Sequence, residues 1–172
     1  LTSTSSTYGI RVNSADVTIQ NITVTDAGTF GIHQSPGSNN LWIENTTVTN
    51  GGGTGFAMNC SDGIDLVNIT STNNLGNGVS ITNCQNVTIN GITTSGNAFA
   101  GGFGAGIGLF SNITTCTPAG VSNVVLTGTV NIAEIPAVYE EIASGTITGV
   151  TLPASFTHFA GVADAGKFYT ED

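Results

Sequence analysis

Residues 17–26 read VTIQNITVTD, residues 41–50 LWIENTTVTN, residues 64–73 IDLVNITSTN and residues 87–96 VTINGITTSG. These are four versions of one ten-residue phrase. The first and third positions are apolar, the fifth is Asn or Gly, and the tenth is Asp, Asn or Gly. Apolar residues that alternate with polar ones have the period of a half-buried β-strand, not of a helix. A phrase that recurs at a nearly fixed interval marks a repeat architecture, in which each unit is buried by its neighbours.

A second marker gives the same interval. Gly followed by an apolar residue opens five segments: Gly9-Ile10, Gly31-Ile32, Gly55-Phe56, Gly78-Val79 and Gly106-Ile107, with steps of 22, 24, 23 and 28 residues. Three short strands and three bends per coil account for that length. Stacking the coils gives six inward files, two per strand. The first strand supplies Ile10, Ile32, Phe56, Val79 and Ile107, then Val12, Gln34, Met58, Ile81 and Leu109. The second supplies Val17, Leu41, Ile64, Val87 and Val124, then Ile19, Ile43, Leu66, Ile89 and Leu126. The third is expected to supply Ile22, Thr46, Ile69, Ile92 and Thr129, then Val24, Val48, Ser71, Thr94 and Val130. Gln34 is the one clear polar intruder.

The bends agree. One column reads Asn21, Asn45, Asn68, Gly91, Gly128, and another Asp26, Asn50, Asn73, Gly96. Asn, Asp and Gly share a tolerance of the left-handed backbone, so exchange among them specifies a backbone angle rather than a side chain. The fold expected is an all-β, right-handed, single-stranded parallel β-helix of about five coils with a C-terminal capping tail. Residues 1–8 form a polar lead-in, 9–132 the solenoid and 133–172 the cap.

These columns, over residues 9–131, resemble the repeats of the pectate-lyase-like right-handed parallel β-helix superfamily. The resemblance implies the fold. It leaves the function open, because that superfamily includes lyases, hydrolases, epimerases, phage tailspikes and adhesins. Its enzymes resemble one another in using clustered Asp for calcium with an Arg or Lys base, or an Asn-Thr-Asp, Asp-Asp and Gly-His-Gly set. Neither set is present here; Gly31-Ile32-His33 is the nearest approach. Glu44 and Asp65 lie on neighbouring coils, but Glu44 stands two positions further along its strand, a poor match to a paired-carboxylate glycosidase site. No catalytic residue, metal site or cofactor is assigned. Were the chain catalytic, it would be part of a polysaccharide lyase, hydrolase or epimerase.

Only 8% of residues are charged, about a third of the usual ~25%, so Thr, Ser and Asn must build the surface. The net charge is −9, with Arg11 and Lys167 the only permanent cations. Phosphate binding draws on Lys and Arg, which makes nucleic acid a poor partner. No run approaches the ~20 apolar residues of a spanning helix. The opening residues Leu1 to Thr7 carry no initiating Met and are read as a mature or excised segment. With only eight residues before Gly9, the first coil is expected to meet an upstream domain or a neighbouring subunit end to end.

Two segments break the period: 98–105 and 111–122, the second containing Cys116 and Pro118. Both are expected as loops, as tolerated insertions or as carriers of function. In the tail, Pro136, Val138, Tyr139 and Ile142 with Gly145 predict a short helix, with Pro in its first turn and Gly past its end. Residues 146–152 alternate like a strand.

Candidate contact residues are Trp42, Asp65 and His33. Trp42 is expected on an outward column with Thr18, Asp65 and Thr88, where it could stack on a neutral sugar, meet a partner or cover a loop. His33 shares an outward column with Arg11, Ala57, Ser80 and Gly108, the usual setting of a solvated histidine. Thr23, Thr47, Thr70 and Thr93, with Thr25, Thr49, Thr72 and Ser95, form a two-wide hydroxyl array. It resembles the Thr-x-Thr surfaces of β-solenoid ice-binding proteins, although Thr is also simply a favoured strand residue. Of six Asn-x-Ser/Thr sites, Asn86 and Asn112 are the better glycan acceptors, because Asn21, Asn45 and Asn68 crowd one bend column. Cys60 and Cys84 fall in one bend of adjacent coils, so they form either a disulfide or a buried thiol stack; Cys116 is unassigned. These features point to an extracellular or cell-surface structural module of the adhesin, fibre or filament type. The alternatives are a polysaccharide-binding β-helix and an ice-binding one.

Overall fold

The computed structural model describes residues 7–98, 104–111, 116, 120–134, 138–142, 147–151, 156–160 and 166–171. All its regular elements are strands. The first coil holds β1 (Tyr8–Val12), β2 (Val17–Gln20) and β3 (Thr23–Thr25); the second holds β4 (Phe30–Gln34), β5 (Leu41–Glu44) and β6 (Thr47–Thr49). In the next three coils the second and third strands run together across the bend. The pairs are β7 (Thr54–Asn59) with β8 (Asp62–Thr72), β9 (Val79–Thr82) with β10 (Gln85–Ser95), and β11 (Ile107–Ser111) with β12 (Val121–Ile132).

Every pairing through these five coils is parallel and joins corresponding strands one coil apart. Ile10 stands over Ile32, Phe56, Val79 and Ile107 in turn. Ile19, Ile43, Leu66, Ile89 and Leu126 form another unbroken file. Ile43, Leu66 and Ile89 have no solvent exposure. Each coil covers the apolar floor of the next, so burial accumulates along the axis rather than about one centre.

Four bend columns hold the left-handed backbone, one of them Gly37, Cys60, Asn83 and Gly120. The two read in the sequence are present: φ is +56° at Asn21, +48° at Asn45 and +50° at Asn68, then +56° at Asp26, +57° at Asn50 and +55° at Asn73. The third, Asp16, Asn40, Gly63, Asn86, Asn123 and Gly149, is a structural finding, with φ between +51° and +72° throughout. Its carboxamides also donate down the stack: Asn40 Nδ2 to Asp16 Oδ1 at 2.9 Å, Asn123 Nδ2 to Asn86 Oδ1 at 3.0 Å, and, where the coil below has Gly63, Asn86 Nδ2 to the neighbouring Asp62 Oδ1 at 2.7 Å.

The third-strand file departs from expectation in the fifth coil. Ile92 pairs with Val130 and Thr94 with Ile132, after a shift between Asn90 and Ile92. The extra residue at the Gly128 bend displaces Thr129 from the inward position and puts Val130 there. A bulge of one residue moves every following side chain to the other face.

The tail also differs. Residues 138–142, expected in a short helix, form β13 (Val138–Ile142), which pairs in parallel with β11. Val138, stacked on Ile107, is fully buried. Burying an apolar residue on an existing file outweighs a Pro/Gly punctuation that suits a helix of barely one turn. The strand expected over 146–152 is β14 (Ile147–Thr151), parallel to β12. Parallel stacking thus continues past residue 132 into a sixth coil. Beyond it, β16 (Gly166–Glu171) runs antiparallel to β13 and to β15 (Phe156–Ala160), extending that sheet's far edge.

A polar spine runs beside the apolar files. Asn74 Oδ1 accepts from Gly51 N at 2.8 Å, and Asn97 Oδ1 accepts from Asn74 N and Nδ2 at 3.1 and 2.9 Å. Asn97 Nδ2 also donates to Ser71 O at 2.7 Å. All three side-chain residues, Ser71, Asn74 and Asn97, are buried. The intruder Gln34 is fully buried as well; its amide donates to Ser38 O, while Oε1 has no partner among the described residues.

Candidate functional site

The sheet of β1, β4, β7, β9, β11 and β13 carries the most varied outer face. Its inner residues are apolar apart from Gln34 and Glu140; the outer ones form the column Arg11, His33, Ala57, Ser80, Gly108 and Tyr139, with Tyr8, Phe30 and Thr54 beside it. At the first-coil end the rings gather. Tyr8 and Phe30 stack with centroids 5.8 Å apart and planes at 14°. His33 tilts against both, at 4.8 Å from Tyr8 and 5.1 Å from Phe30.

Arg11 completes this cluster. Its guanidinium lies 5.1 Å from the Tyr8 ring centroid, within cation–π range. Its Nε donates to Ser35 Oγ at 3.0 Å, and that hydroxyl donates to Asn13 Oδ1 at 2.6 Å. Asn59 Nδ2 lies 3.3 Å from His33 Nε2 and 3.4 Å from Gln34 O. Burial, and then the Arg11 charge, push the His33 pKa below its ordinary 6.5, so the ring is neutral at pH 7.

The middle of the face is built of small residues. Ala57 and Ser80 are its rungs, and Thr54 and Ala57 are buried. At Gly108 a Cβ would stand 2.5 Å from the Phe110 ring, so the glycine is what lets Phe110 lie across the sheet. Phe110 and Tyr139 meet at 5.9 Å. Aromatic groups therefore bracket a floor of small residues. His33 to Gly108 is three rungs, about 14 Å at the ~4.8 Å strand spacing.

Trp42 and Asp65 fall where the sequence puts them, on the outward column Thr18, Trp42, Asp65, Thr88 of the second strand. Trp42 is 40% exposed. Its Nε1 donates to Glu44 Oε2 at 3.4 Å, and Gln20 Nε2 donates to the same oxygen at 2.8 Å. The indole is thus held against a carboxylate on its own strand, with Asp65 one rung above. This patch lies on a different sheet from His33, so the structure does not unite the three candidate contact residues.

The hydroxyl array is continuous: Thr23, Thr47, Thr70 and Thr93 pair in order, as do Thr25, Thr49, Thr72 and Ser95. Thr72 Oγ1 donates to Thr49 Oγ1 at 3.1 Å. In the fifth coil the first of these columns passes to Asn131.

The cysteine pairing is corrected. Cys60 is bonded to Cys116, with Cα atoms 5.2 Å apart, and Cys84 is a buried free thiol. Cys84 Sγ points inward to donate to Thr82 O at 3.3 Å, whereas Cys60 occupies a left-handed bend position with φ +49°. Adjacent coils therefore turn the two side chains apart, and the insertion after β11 brings Cys116 back to Cys60. Burial pushes the Cys84 pKa up to about 12. Asn86 is exposed, with its carboxamide engaged in the bend ladder described above. Asn112 lies outside the described residues.

The sequence identified the outward column through His33 but not the ring cluster at its end. Tyr8 and Phe30 precede the Gly-apolar markers by one residue in two successive coils, a signal hidden because Thr54 takes that place in the third. Among the described residues no group of three or more His, Cys, Asp or Glu is placed to hold a metal ion, and no helix is long and apolar enough to cross a membrane.

No curated protein and no solved structure matches the chain. The family model described as a right handed beta helix region matches residues 2–132. That match covers the same coils whose stacking is described above, and the chain belongs to the right-handed β-helix family.

Proposed function

We propose that this chain is an extracellular or cell-surface structural module that makes contact with a polysaccharide through the outer face of β1, β4, β7, β9 and β11. The observation that carries this reading is the Tyr8–Phe30–His33 ring cluster beside the small, uncharged residues Ala57 and Ser80. Aromatic faces next to uncharged hydrogen-bonding groups suit the apolar face and hydroxyl rim of a pyranose. The parallel solenoid supplies a rigid support, so the rings are positioned before the ligand arrives. The Cys60–Cys116 disulfide supports an oxidising, extracellular compartment. The sparse charge supports a contact of shape and hydrogen bonding rather than of long-range attraction.

A glycan array followed by calorimetry tests it. The expected result is binding to at least one polysaccharide class, lost in a Tyr8→Ala/Phe30→Ala double variant and kept in Trp42→Ala. Absence of binding across the array, or binding that depends on Trp42 alone, contradicts the assignment of the face.

A second reading, end-to-end assembly into a fibre, is favoured by a separate observation. In the first coil Ile10, Val17, Ile19 and Ile22 are only partly buried against the core, and β1, β2 and β3 each pair on one side among the described residues. Unpaired strand edges with apolar rungs are a template for a further coil. Electron microscopy at high concentration separates the readings: filaments support assembly, and monodisperse particles contradict it.

A further inference from the structure

The ring cluster includes a charge that neutral-sugar recognition does not need. Arg11 is the one Lys or Arg whose side chain is described in a chain of net charge −9. With acidic groups in such excess, a lone cation would ordinarily be paired with one of them. Instead its guanidinium is directed by neutral groups: the Tyr8 ring on one side, and Ser35 Oγ, itself bonded to Asn13, on the other. Ser35 is buried, so the Nε–H edge is fixed. That bond uses one of the five guanidinium N–H groups. Among the described residues no carboxylate pairs with the other four, and Arg11 itself is exposed.

A guanidinium held by one edge and stacked on an aromatic ring presents a planar fork, the shape that binds a carboxylate through two parallel hydrogen bonds. Ala57 and Ser80 lie one and two rungs beyond His33, and neither carries a charge. The remaining face has no other described cation, and a densely charged polyanion would leave its further carboxylates unmatched. One anionic group at the end of an otherwise neutral glycan is the fitting ligand.

We propose that Arg11, stacked on Tyr8 and oriented by Ser35, is a specificity subsite for the carboxylate of a single acidic sugar at the end of a glycan. It rests on the polysaccharide reading of the same face and adds the class of sugar recognised.

The test uses paired probes with the intact chain: sialyllactose and a glucuronyl-terminated disaccharide, each beside its analogue with the carboxyl reduced to an alcohol. Calorimetry should show at least one acid bound roughly tenfold more tightly than its alcohol, the worth of one charge-assisted pair over a neutral one. The preference should shrink as salt is raised. Arg11→Gln should abolish the preference of acid over alcohol, and Arg11→Lys should restore only part of it. Acids and alcohols binding equally, or a preference that survives Arg11→Gln, would overturn the subsite and leave the polysaccharide reading intact. If neither these probes nor any neutral glycan binds, the polysaccharide reading itself is wrong and the subsite is lost with it.

Discussion

Glu134 Oε1 accepts hydrogen bonds from both the backbone N and the side-chain Nδ2 of Asn97, at 3.0 and 2.7 Å. Its other oxygen accepts from the Thr94 hydroxyl. The buried carboxylate therefore terminates the spine that passes through Gly51, Asn74 and Asn97, giving the last amide an acceptor where the next coil supplies no asparagine. Glu134→Ala strands three donors in the interior and is expected to cost about 3 kcal/mol, because an unmade buried hydrogen bond costs more than a made one contributes. Glu134→Gln keeps an acceptor for part of the set and should cost less. Urea unfolding of both variants checks the order; equal costs would mean that the spine is not satisfied through this carboxylate.

Asn45 sits at φ +48° in the column of Asn21 and Asn68, where the same position in the fourth coil is Gly91. Its carboxamide contacts are long, 3.3 Å to Asn21 and 3.4 Å from Asn68. The backbone angle thus dominates the choice of residue. Asn45→Gly is expected to be nearly neutral, and Asn45→Ala to lose roughly 1–2 kcal/mol, the cost of a left-handed conformation for a residue with a Cβ. Equal losses for the two variants would make the side chain, not the angle, the reason for asparagine.

Cys60 and Cys116 are 56 residues apart in sequence. Closing a loop of that length constrains the unfolded chain by up to about 4 kcal/mol in the chain-entropy account. A Cys60→Ser/Cys116→Ser variant should unfold at correspondingly lower denaturant concentration. A thiol reagent should find no reactive cysteine in the native protein and one after unfolding without reductant, since Cys84 is buried with its pKa pushed up to about 12. Two thiols in the unfolded, unreduced chain beyond Cys84 would contradict the pairing.

His33 gives the fold a pH dependence of known sign. Burial first, and the Arg11 charge second, disfavour its protonated form and lower its pKa below 6.5. The unfolded chain therefore takes up this proton before the folded one does. The contribution is complete above pH 6.5 and is lost as pH falls through the folded-state value. Stability measured at a series of pH values should decline across that window in the native chain and decline less in His33→Gln. A ring titration followed by NMR with a midpoint above 6.5 would reverse the sign.

Most of the fold is legible in the sequence because each coil repeats the same physical problem. Ile19, Ile43, Leu66 and Ile89 must face one interior, and Asn21, Asn45 and Asn68 must turn one bend, so the two signals fix a common register. Legibility fails where the period does. The extra residue beside Gly128 shifts Thr129 and Val130, a change invisible without a paired strand. Val138 stacks on Ile107 across an interval of 31 residues, outside the regular step, so local Pro and Gly signals point to a helix at 138–142, whereas the alternation of 146–152 still reads as the strand that stacks Val150 on Val124. The disulfide depended on which way Cys60 and Cys84 turn at one bend, and spacing alone carries no such information. At the candidate site, the outward placement of His33, Trp42 and Asp65 followed from alternation. The gathering of Tyr8, Phe30 and Arg11 around His33 depends on side-chain direction across neighbouring coils, which alternation leaves open.

The stacking itself is open to direct observation. In a sample with isotope-labelled Ile, Leu and Val methyl groups, through-space NMR transfer should link Ile43 to Ile19 on one side and to Leu66 on the other, with Leu66 linked onward to Ile89. Links from Ile43 to residues of a neighbouring strand in antiparallel order, or none between residues one repeat apart, would contradict the parallel coil and every facing derived from it.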